Sequence, residues 1–302
     1  MKVSAIFIFF AIAFKRVKFC LIKMQKGKFE IAICYDFDGT LSPENMQEYS
    51  FIPRLQQSPE EFWADTNKLA KEHDADVILA YMYLMCERAK KAGIKIRKKD
   101  FENFGRGVKF FPGILPDELT GKDWFLRIKN FAAPLGANVR HYVISSGIKE
   151  MIEGTAIADN FHRIYASSFM YDAGGSAMWP ALAVNYTTKM QYLFRINKGA
   201  LDIQKTVNNF MPENERPVPF KRMIFIGDGL TDIPAMKLVK TQGGYAIAVH
   251  DGTKRKAKIN ERLLVENRVN FVTKADYQEM SPLDCEVRRV IAQICEEANA
   301  SA

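Results

Sequence analysis

The sequence predicts an α/β protein: a Rossmann-like, doubly wound parallel sheet with a helical cap inserted between its first two motif-bearing strands. Short runs that are apolar on both alternating faces are typical of buried parallel strands. Such runs recur at residues 31–35, 141–144, 223–226 and 244–249. A long stretch with helical patterns separates the first two. We therefore predict a Rossmann-like core formed by residues 29–41 and 109–302, with a helical cap over residues 42–108.

The first predicted strand, Ile31–Tyr35, leads directly into Asp36, Asp38, Gly39 and Thr40. A strand that ends in Asp-x-Asp-Gly-Thr brings two carboxylates to the carboxyl edge of the sheet, where open α/β sheets bind ligands. Carboxylates this close repel each other unless a cation or a proton intervenes. Because Asp and Gly are also ordinary loop residues, a simple turn is the alternative interpretation.

Two helices are predicted within the insert. The run Ser58-Pro59-Glu60-Glu61 has the pattern of a capping box and predicts a helix that reaches about His73. A second helix is predicted from about Asp76 to Lys91, ended by Gly93. Its apolar residues cover more than one face, so we expect it to be buried or to pack against a partner, and a homodimer is conceivable.

The strand predicted over His141–Gly147 ends in Ser145 and Ser146, and a helix is predicted to open at about Ile148. Hydroxyls together with the free N–H groups of a helix start form a ready anion site. The competing interpretation is that one of these serines only caps the helix. Gly-x-Ser-x-Gly does not occur here, which argues against a hydrolase nucleophile elbow.

A β-hairpin around Ala173-Gly174-Gly175 precedes a helix that begins within Asn185–Lys189 and reaches about Gly199. Lys189 lies in the first turn of that helix, where a cation opposes the helix dipole. We therefore expect Lys189 to have another function. Lys198 is the competing candidate, although a lysine near a helix C-terminus is ordinary.

The run Met223–Ile226 repeats the opening pattern, because it leads into Asp228, with a glycine on either side, and then Asp232. Asp232 could simply cap the helix that starts at Ile233-Pro234. Asp228, at the end of a buried strand, has little structural reason to be there. The predicted core is completed by a strand over residues 244–249, an edge strand over 269–272 and a helix over 282–298.

The chain thus presents Asp-x-Asp-Gly-Thr, a strand ending in serine, a lysine, and Gly-Asp-x-x-x-Asp, in that order. In this order the motifs resemble those of the haloacid dehalogenase superfamily of phosphatases and phosphotransferases. The resemblance covers residues 29–41 and roughly 136–250. The insert looks like the helical cap of phosphoserine phosphatase-like members, but its sequence is not matched. A long loop at residues 200–219 lengthens the interval before the last motif, which leaves Lys198 open beside Lys189.

This resemblance implies a Mg²⁺-dependent phosphomonoester hydrolase that acts on a small phosphorylated metabolite. Asp36 would be the nucleophile that forms an aspartyl-phosphate. Asp38 would protonate the leaving alcohol and then activate water. Ser145 and Lys189 would hold the oxygens of the transferring phosphoryl group.

The same resemblance implies a Mg²⁺ site formed by Asp36, the Asp38 carbonyl and Asp228, with Asp232 in the outer shell. A phosphomutase or phosphonatase of the same superfamily, or a non-catalytic binding protein that retains the fold, are the alternatives. Phosphoserine phosphatases carry a substrate-reading acid shortly after the first motif. Glu44 stands near that place but one residue out of register, which puts phosphoserine as the substrate in doubt.

The net charge of +8 does not indicate a nucleic-acid partner, because it is concentrated at the N-terminus. Residues 1–28 carry seven basic residues and no acidic one, which leaves +1 for the remainder. We predict that they form an N-terminal extension, the first part of which precedes a true start at Met24; a signal peptide or membrane anchor at residues 3–14 is the alternative. Five scattered cysteines without metal-binding spacing suit a reducing, cytoplasmic location, and we expect no stable membrane association.

Overall fold

One seven-stranded sheet runs through residues 29–300, the part of the chain that this computed structural model describes. Its strands are β1 (Phe29–Tyr35), β2 (Ala137–Ile148), β3 (Phe161–Tyr171), β4 (Ala177–Leu182), β5 (Met223–Gly227), β6 (Tyr245–His250) and β7 (Phe271–Lys274). Their order across the sheet is β4-β3-β2-β1-β5-β6-β7. All neighbours pair in parallel except β3 and β4, which form the predicted antiparallel hairpin. The predicted fold class is therefore confirmed.

Helices cover both faces of the sheet. They are α1 (Met46–Arg54), α2 (Pro59–Glu72), α3 (Val77–Lys91), α4 (Lys98–Gly105), α5 (Trp124–Ala132), α6 (Lys149–Glu153), α7 (Thr188–Lys198), α8 (Ile233–Thr241), α9 (Lys254–Val265) and α10 (Pro282–Ala300). Helices α1 to α4 all lie between β1 and β2 in the chain, where the insert was predicted. None of the helices described here combines the length and apolar character that a bilayer span requires. The predicted N-terminal extension, with Met24 and residues 3–14, lies outside the described residues.

Strand β1 is the centre of the molecule because both of its faces are buried. Ile31, Ile33 and Tyr35 belong to one hydrophobic core, on one side of the sheet. Ala32 and Cys34 belong to the other core, on the opposite side, and all five side chains are inaccessible to solvent. A strand that is buried on both faces consists of a continuous run of apolar residues. This is why β1 could be predicted from the sequence.

The pairing of β1 determines which chain segments meet at the carboxyl edge of the sheet. Tyr35, its last residue, lies opposite Val143 of β2 and Ile226 of β5. The backbone N–H of Asp36 donates a hydrogen bond of 2.9 Å to the Ile226 carbonyl, which continues this pairing by one residue. The segments that follow β1, β2 and β5 therefore emerge side by side.

The two helices predicted within the insert are confirmed as α2 and α3. At the start of α2, Ser58 Oγ accepts a hydrogen bond from the Glu61 N–H, and Glu61 Oε2 accepts one from the Ser58 N–H, so the capping box is complete. At the start of α3, the Asp76 carboxylate accepts from the N–H groups of Ile78 and Leu79. Helices α1 and α9 were not predicted from the sequence.

The insert is joined to the edge of the sheet by several contacts. The N–H of Ala177 in β4 donates to the Ile96 carbonyl at 3.0 Å. The ring of Phe101 in α4 stacks on Phe169 of β3, with centroids 5.2 Å apart. Gly105 lies so close to α6 that a Cβ atom there would stand 1.9 Å from the Met151 carbonyl oxygen. The predicted boundaries of the cap, residues 42–108, stay a prediction.

Candidate active site

The loop after β1 carries the first acidic motif and depends on Gly39. This residue has φ +75°, a conformation that only glycine adopts without strain. A Cβ atom on it would stand 2.1 Å from Oδ2 of Asp228. The glycine therefore serves two purposes, since it allows the turn and it leaves room for a carboxylate from the loop after β5.

Three carboxylates from the two loops converge at the carboxyl edge of the sheet. Asp36, Asp228 and Asp232 each present one oxygen, and these oxygens lie within 4.8 Å of one another. Burial, with the charges of Asp232 and Asp36, raises the pKa of Asp228 to about 8. Burial and the charge of Asp36 raise the pKa of Asp232 to about 7. Such crowding is relieved by a cation.

Lys189 supplies a cation to this cluster from the first turn of α7. Its side chain is fully buried, and its Nζ atom lies 2.7 Å from Asp232 Oδ1 and 3.0 Å from Asp36 Oδ1. Burial alone would lower the pKa of Lys189, but the two carboxylates outweigh that effect and raise it. These contacts explain why a lysine stands where the helix dipole disfavours it.

The competing lysine, Lys198, lies at the other end of α7 and contacts none of these acids. Its Nζ atom donates hydrogen bonds of 2.8 Å to the carbonyls of Val207 and Asn209. Lys198 thus holds the long loop over residues 200–219 against α7. Of the two candidates, the structure brings only Lys189 to the acidic cluster.

Asp38 lies beside the cluster, at the junction with the insert. Its Oδ1 atom accepts a hydrogen bond of 3.0 Å from the N–H of Met46, the first residue of α1. Burial, followed by the charge of Asp36, raises the pKa of Asp38 well above its usual range. A Cβ atom on Gly147 would stand 3.1 Å from Asp38 Oδ2, so the last residues of β2 are also close. A carboxyl group in this setting retains a proton that it can donate.

Ser145 and Asp232 do not cap the helices that follow them, so those simpler interpretations are wrong. Ser145 Oγ accepts from the Gly147 N–H at 3.0 Å, whereas α6 starts later and has no side-chain cap. Asp232 occupies the N-cap position of α8 but makes no capping hydrogen bond with it. Its carboxylate instead contacts Lys189 and the N–H of Gly229.

A cavity of about 430 Å³ joins the acidic cluster to the insert. Its floor comes from the loops after β1 and β5 and from the end of β2, with Asp36, Asp38, Ser145 and Asp228 among the lining residues. The insert contributes the opposite wall, formed by Pro43, Glu44, Asn45, Gln47, Trp63, Val77, Ile78 and Tyr81. Four of the six predicted site residues, Asp36, Asp38, Ser145 and Asp228, thus line one space from positions at strand ends. The other two, Lys189 and Asp232, pair with each other, and Lys189 also contacts Asp36.

Sequence reasoning missed several residues of this cavity. Lys256, near the start of α9, lies with its Nζ atom 3.9 Å from Asp228 Oδ2. Trp63 and Tyr81 form an aromatic pair on the insert side, with ring centroids 5.8 Å apart. The only available signal was the methionine and aromatic content of α3, which is more typical of core packing.

The fold and the site together define a Rossmann-like α/β protein whose acidic cluster lies at the carboxyl edge of its sheet. Residues 33–237 match the family described as haloacid dehalogenase-like hydrolase. Because this match covers more than half of the chain, the protein belongs to that family. The resemblance identified from the motifs is therefore confirmed.

Comparisons with individual proteins find a relative in sequence and solved structures with a similar fold. An uncharacterized protein of Borreliella burgdorferi is 25% identical over 283 residues, which cover 84% of this chain and 93% of that protein. A phosphoserine phosphatase in its apo form superposes with a TM-score of 0.52 at 14% identity, over 83% of this chain and 97% of that one. A probable phosphoserine phosphatase from Vibrio cholerae gives a TM-score of 0.54 at 12% identity, over 91% and 69%. At these identities the structures establish the shared fold.

Proposed function

We propose that this protein is a Mg²⁺-dependent phosphomonoester hydrolase that acts on a small phosphorylated metabolite through an aspartyl-phosphate on Asp36. The observation that supports the proposal best is the ion pair between buried Lys189 and Asp36, at the centre of an acidic cluster that opens into a cavity. A carboxylate held by a buried cation is oriented as a nucleophile should be. The insert over residues 42–108 would act as the cap that covers the reacting group.

The donor set of the cluster suits Mg²⁺. The atoms of the cluster that could bind a metal ion are all carboxylate oxygens. Mg²⁺ prefers oxygen ligands, usually one or two carboxylates together with substrate phosphate oxygens. Asp36, the Asp38 carbonyl and Asp228 would hold the ion, with Asp232, which already pairs with Lys189, outside them. When bound, Mg²⁺ would supply positive charge against the crowded carboxylates and the phosphoryl group.

In the first half of the proposed reaction, the Asp36 carboxylate attacks phosphorus, and the bond from phosphorus to the alcohol oxygen breaks. Asp38 donates its proton to that oxygen, so the alcohol leaves neutral. In the second half, Asp38 takes a proton from water, the resulting hydroxide attacks phosphorus, and Asp36 is released with inorganic phosphate. Lys189 keeps Asp36 in place, and Ser145, which lines the cavity, is positioned to donate to a phosphoryl oxygen.

The test is hydrolysis of p-nitrophenyl phosphate with Mg²⁺ and with excess EDTA. We expect activity only with Mg²⁺, and a loss on the order of 10³-fold or more in Asp36→Asn, because nucleophile removal is among the costliest changes in an active site. Asp65→Asn is the matched control, since Asp65 pairs with Arg88 on the outside of the insert at 2.6 Å. Undiminished turnover in EDTA or in Asp36→Asn would refute the proposal. A Mg²⁺-dependent thermal shift without any turnover would favour the non-catalytic alternative.

A further inference from the structure

The cavity wall that faces the acidic cluster is aromatic. The rings of Trp63 in α2 and Tyr81 in α3 have centroids 5.8 Å apart and planes that meet at 74°. The two rings therefore form a corner rather than a parallel stack. Val77 and Ile78, at the start of α3, extend this wall with apolar surface. A leaving alcohol held above Asp36 and Asp38 would have its far end against this corner.

Both rings are fixed in place by hydrogen bonds. The Trp63 indole N–H donates to Glu48 Oε1 at 2.7 Å, which also puts negative charge at the edge of the ring. The Tyr81 hydroxyl donates to the Ser146 carbonyl at 2.6 Å. An aromatic face attracts a cation through its quadrupole, and a carboxylate beside the ring adds to that attraction. Because neither ring has to be ordered on binding, little of the attraction is lost to conformational entropy.

Groups that would bind an anionic leaving group are scarce on this wall. Among the described residues that line the cavity, Lys256 is the one basic side chain, and its Nζ atom already lies 3.5 Å from Asp251 Oδ2 and 3.9 Å from Asp228 Oδ2. The N-terminus of α3 could attract an anion, but the Asp76 carboxylate accepts hydrogen bonds from its free N–H groups. Exposed Glu44 at the rim adds further negative charge.

We propose that the leaving group is a small amino alcohol with a quaternary ammonium and no carboxylate, so that the substrate class is the choline-type phosphomonoester. This proposal rests on the proposed phosphatase function. The cation would lie on the ring of Trp63, at the corner that it forms with Tyr81, whose side chain is only 3% exposed, as quaternary ammonium ligands lie on aromatic faces. The cavity of about 430 Å³ is near the lower end of the usual range of ligand pockets, about 300–1,000 Å³, which suits a small substrate.

The first experiment compares kcat/KM for phosphocholine, glycerol phosphate, phosphoserine, uridine monophosphate and p-nitrophenyl phosphate. We expect phosphocholine to exceed glycerol phosphate and phosphoserine by about tenfold or more, because a desolvated cation on an aromatic face is worth about that factor. A preference for phosphoserine or for the nucleotide would overturn the proposal. Turnover of p-nitrophenyl phosphate that depends on Asp36 tests the phosphatase function separately, so the two failures are distinguishable.

The second experiment uses Trp63→Leu, with Tyr83→Leu as the matched control on the exposed side of α3. We expect the ratio of phosphocholine to glycerol phosphate turnover to fall about tenfold in Trp63→Leu, mainly through KM, and to stay unchanged in Tyr83→Leu. Tyr81→Phe keeps the ring and should retain most of the preference. An equal loss for both substrates in Trp63→Leu would show only a packing role and contradict the proposal.

A binding measurement provides a readout without turnover. Choline alone, titrated into the Asp36→Asn variant, should change the tryptophan fluorescence at millimolar concentration. The double variant that also carries Trp63→Leu should not show this change. The cation does not bind at this corner if the folded Asp36→Asn variant shows no fluorescence change, or if the double variant shows the same change. This result would hold whether or not the protein hydrolyses phosphomonoesters.

Discussion

Lys189 and Asp36 form a buried ion pair of 3.0 Å, although they come from segments more than 150 residues apart in the chain. Two further acids surround this pair, so the site has more acidic than basic groups. Removal of the lysine would leave acids buried without compensation. The structure therefore makes Lys189 important both for the stability of the protein and for the orientation of Asp36.

Replacement of Lys189 by methionine should destabilise the protein by about 3–5 kcal/mol, because loss of one partner of a buried ion pair leaves uncompensated charge. It should also reduce phosphatase activity strongly. Urea unfolding in EDTA measures the first effect and turnover the second. Lys198→Met is the control: it removes two loop hydrogen bonds, at about 0.5–1.5 kcal/mol each, and should retain activity. Equal behaviour of the two variants would contradict the assignment of Lys189.

The contribution of Asp228 and Asp232 to the stability of the metal-free protein should fall as pH rises from about 4 to 8. The folded state holds protons on Asp228 and Asp232, with pKa values of about 8 and 7, that the unfolded chain releases near pH 4. The contribution of these acids is thus fully present below the unfolded pKa and is lost as pH rises through the folded values. Mg²⁺ competes with these protons, so its thermal shift should be larger at pH 8 than at pH 6. The melting temperature measured at both pH values, with EDTA and with Mg²⁺, checks this prediction.

Asp228→Asn provides the corresponding control. The variant removes one of the two acids that bind protons, so the pH dependence in EDTA should become shallower, and the effect of Mg²⁺ should shrink at every pH. A thermal shift of the same size at pH 6 and pH 8 in the original protein would show that these carboxylates do not take up the ion.

Gly39→Ala should impair the site far more than its size suggests. The added methyl would stand 2.1 Å from Asp228 Oδ2, and φ +75° is unfavourable for alanine. We expect a loss of about 1–3 kcal/mol in stability from the backbone alone, together with weaker Mg²⁺ binding. Gly175→Ala is the matched control, because its φ is +78° but nothing lies within 4 Å of the added atom. Comparable Mg²⁺ affinity in the two variants would mean that the space beside Asp228 is not required.

Asp38→Asn should affect substrates according to their leaving groups. The variant cannot donate a proton to the departing oxygen, so hydrolysis of an alkyl phosphate should fall by about 10²–10⁴-fold. p-Nitrophenol leaves without protonation, and the formation of the aspartyl-phosphate from its ester should be much less affected. Burst kinetics separate this first step from the second. If the rate of aspartyl-phosphate formation falls equally for both substrates, Asp38 has a structural role and is not the general acid.

Much of the core could be predicted because buried parallel strands leave a clear pattern in the sequence. Asp36 and Asp228 each follow such a strand and Ser145 lies near the end of another, and parallel neighbours bring these ends together. Lys189 could be predicted because it lies in the first turn of α7, where a cation opposes the helix dipole. These residues converge as the sequence predicted, although their roles in catalysis stay predictions.

The rest depends on packing that has no local pattern. Helix α9 is strongly basic and buries little beyond Asn260 and Leu263, so it offers few apolar residues from which to predict it. Trp63 and Tyr81 lie on different helices, and nothing in their spacing indicates that their rings meet. Lys256 reaches Asp228 only because α9 starts beside the loop after β5. Such contacts follow from tertiary structure and are not encoded in periodicity.

The attachment of the insert to the core has a consequence for how small molecules enter the cavity. The hydrogen bond from Ala177 to Ile96, the stack of Phe101 on Phe169, and the bond from Tyr81 to Ser146 all hold the insert against the core. A swing of the whole insert would break them together. We therefore expect small molecules to enter past exposed Glu44 while the insert stays in place, so that selection by size would not require a movement of the insert.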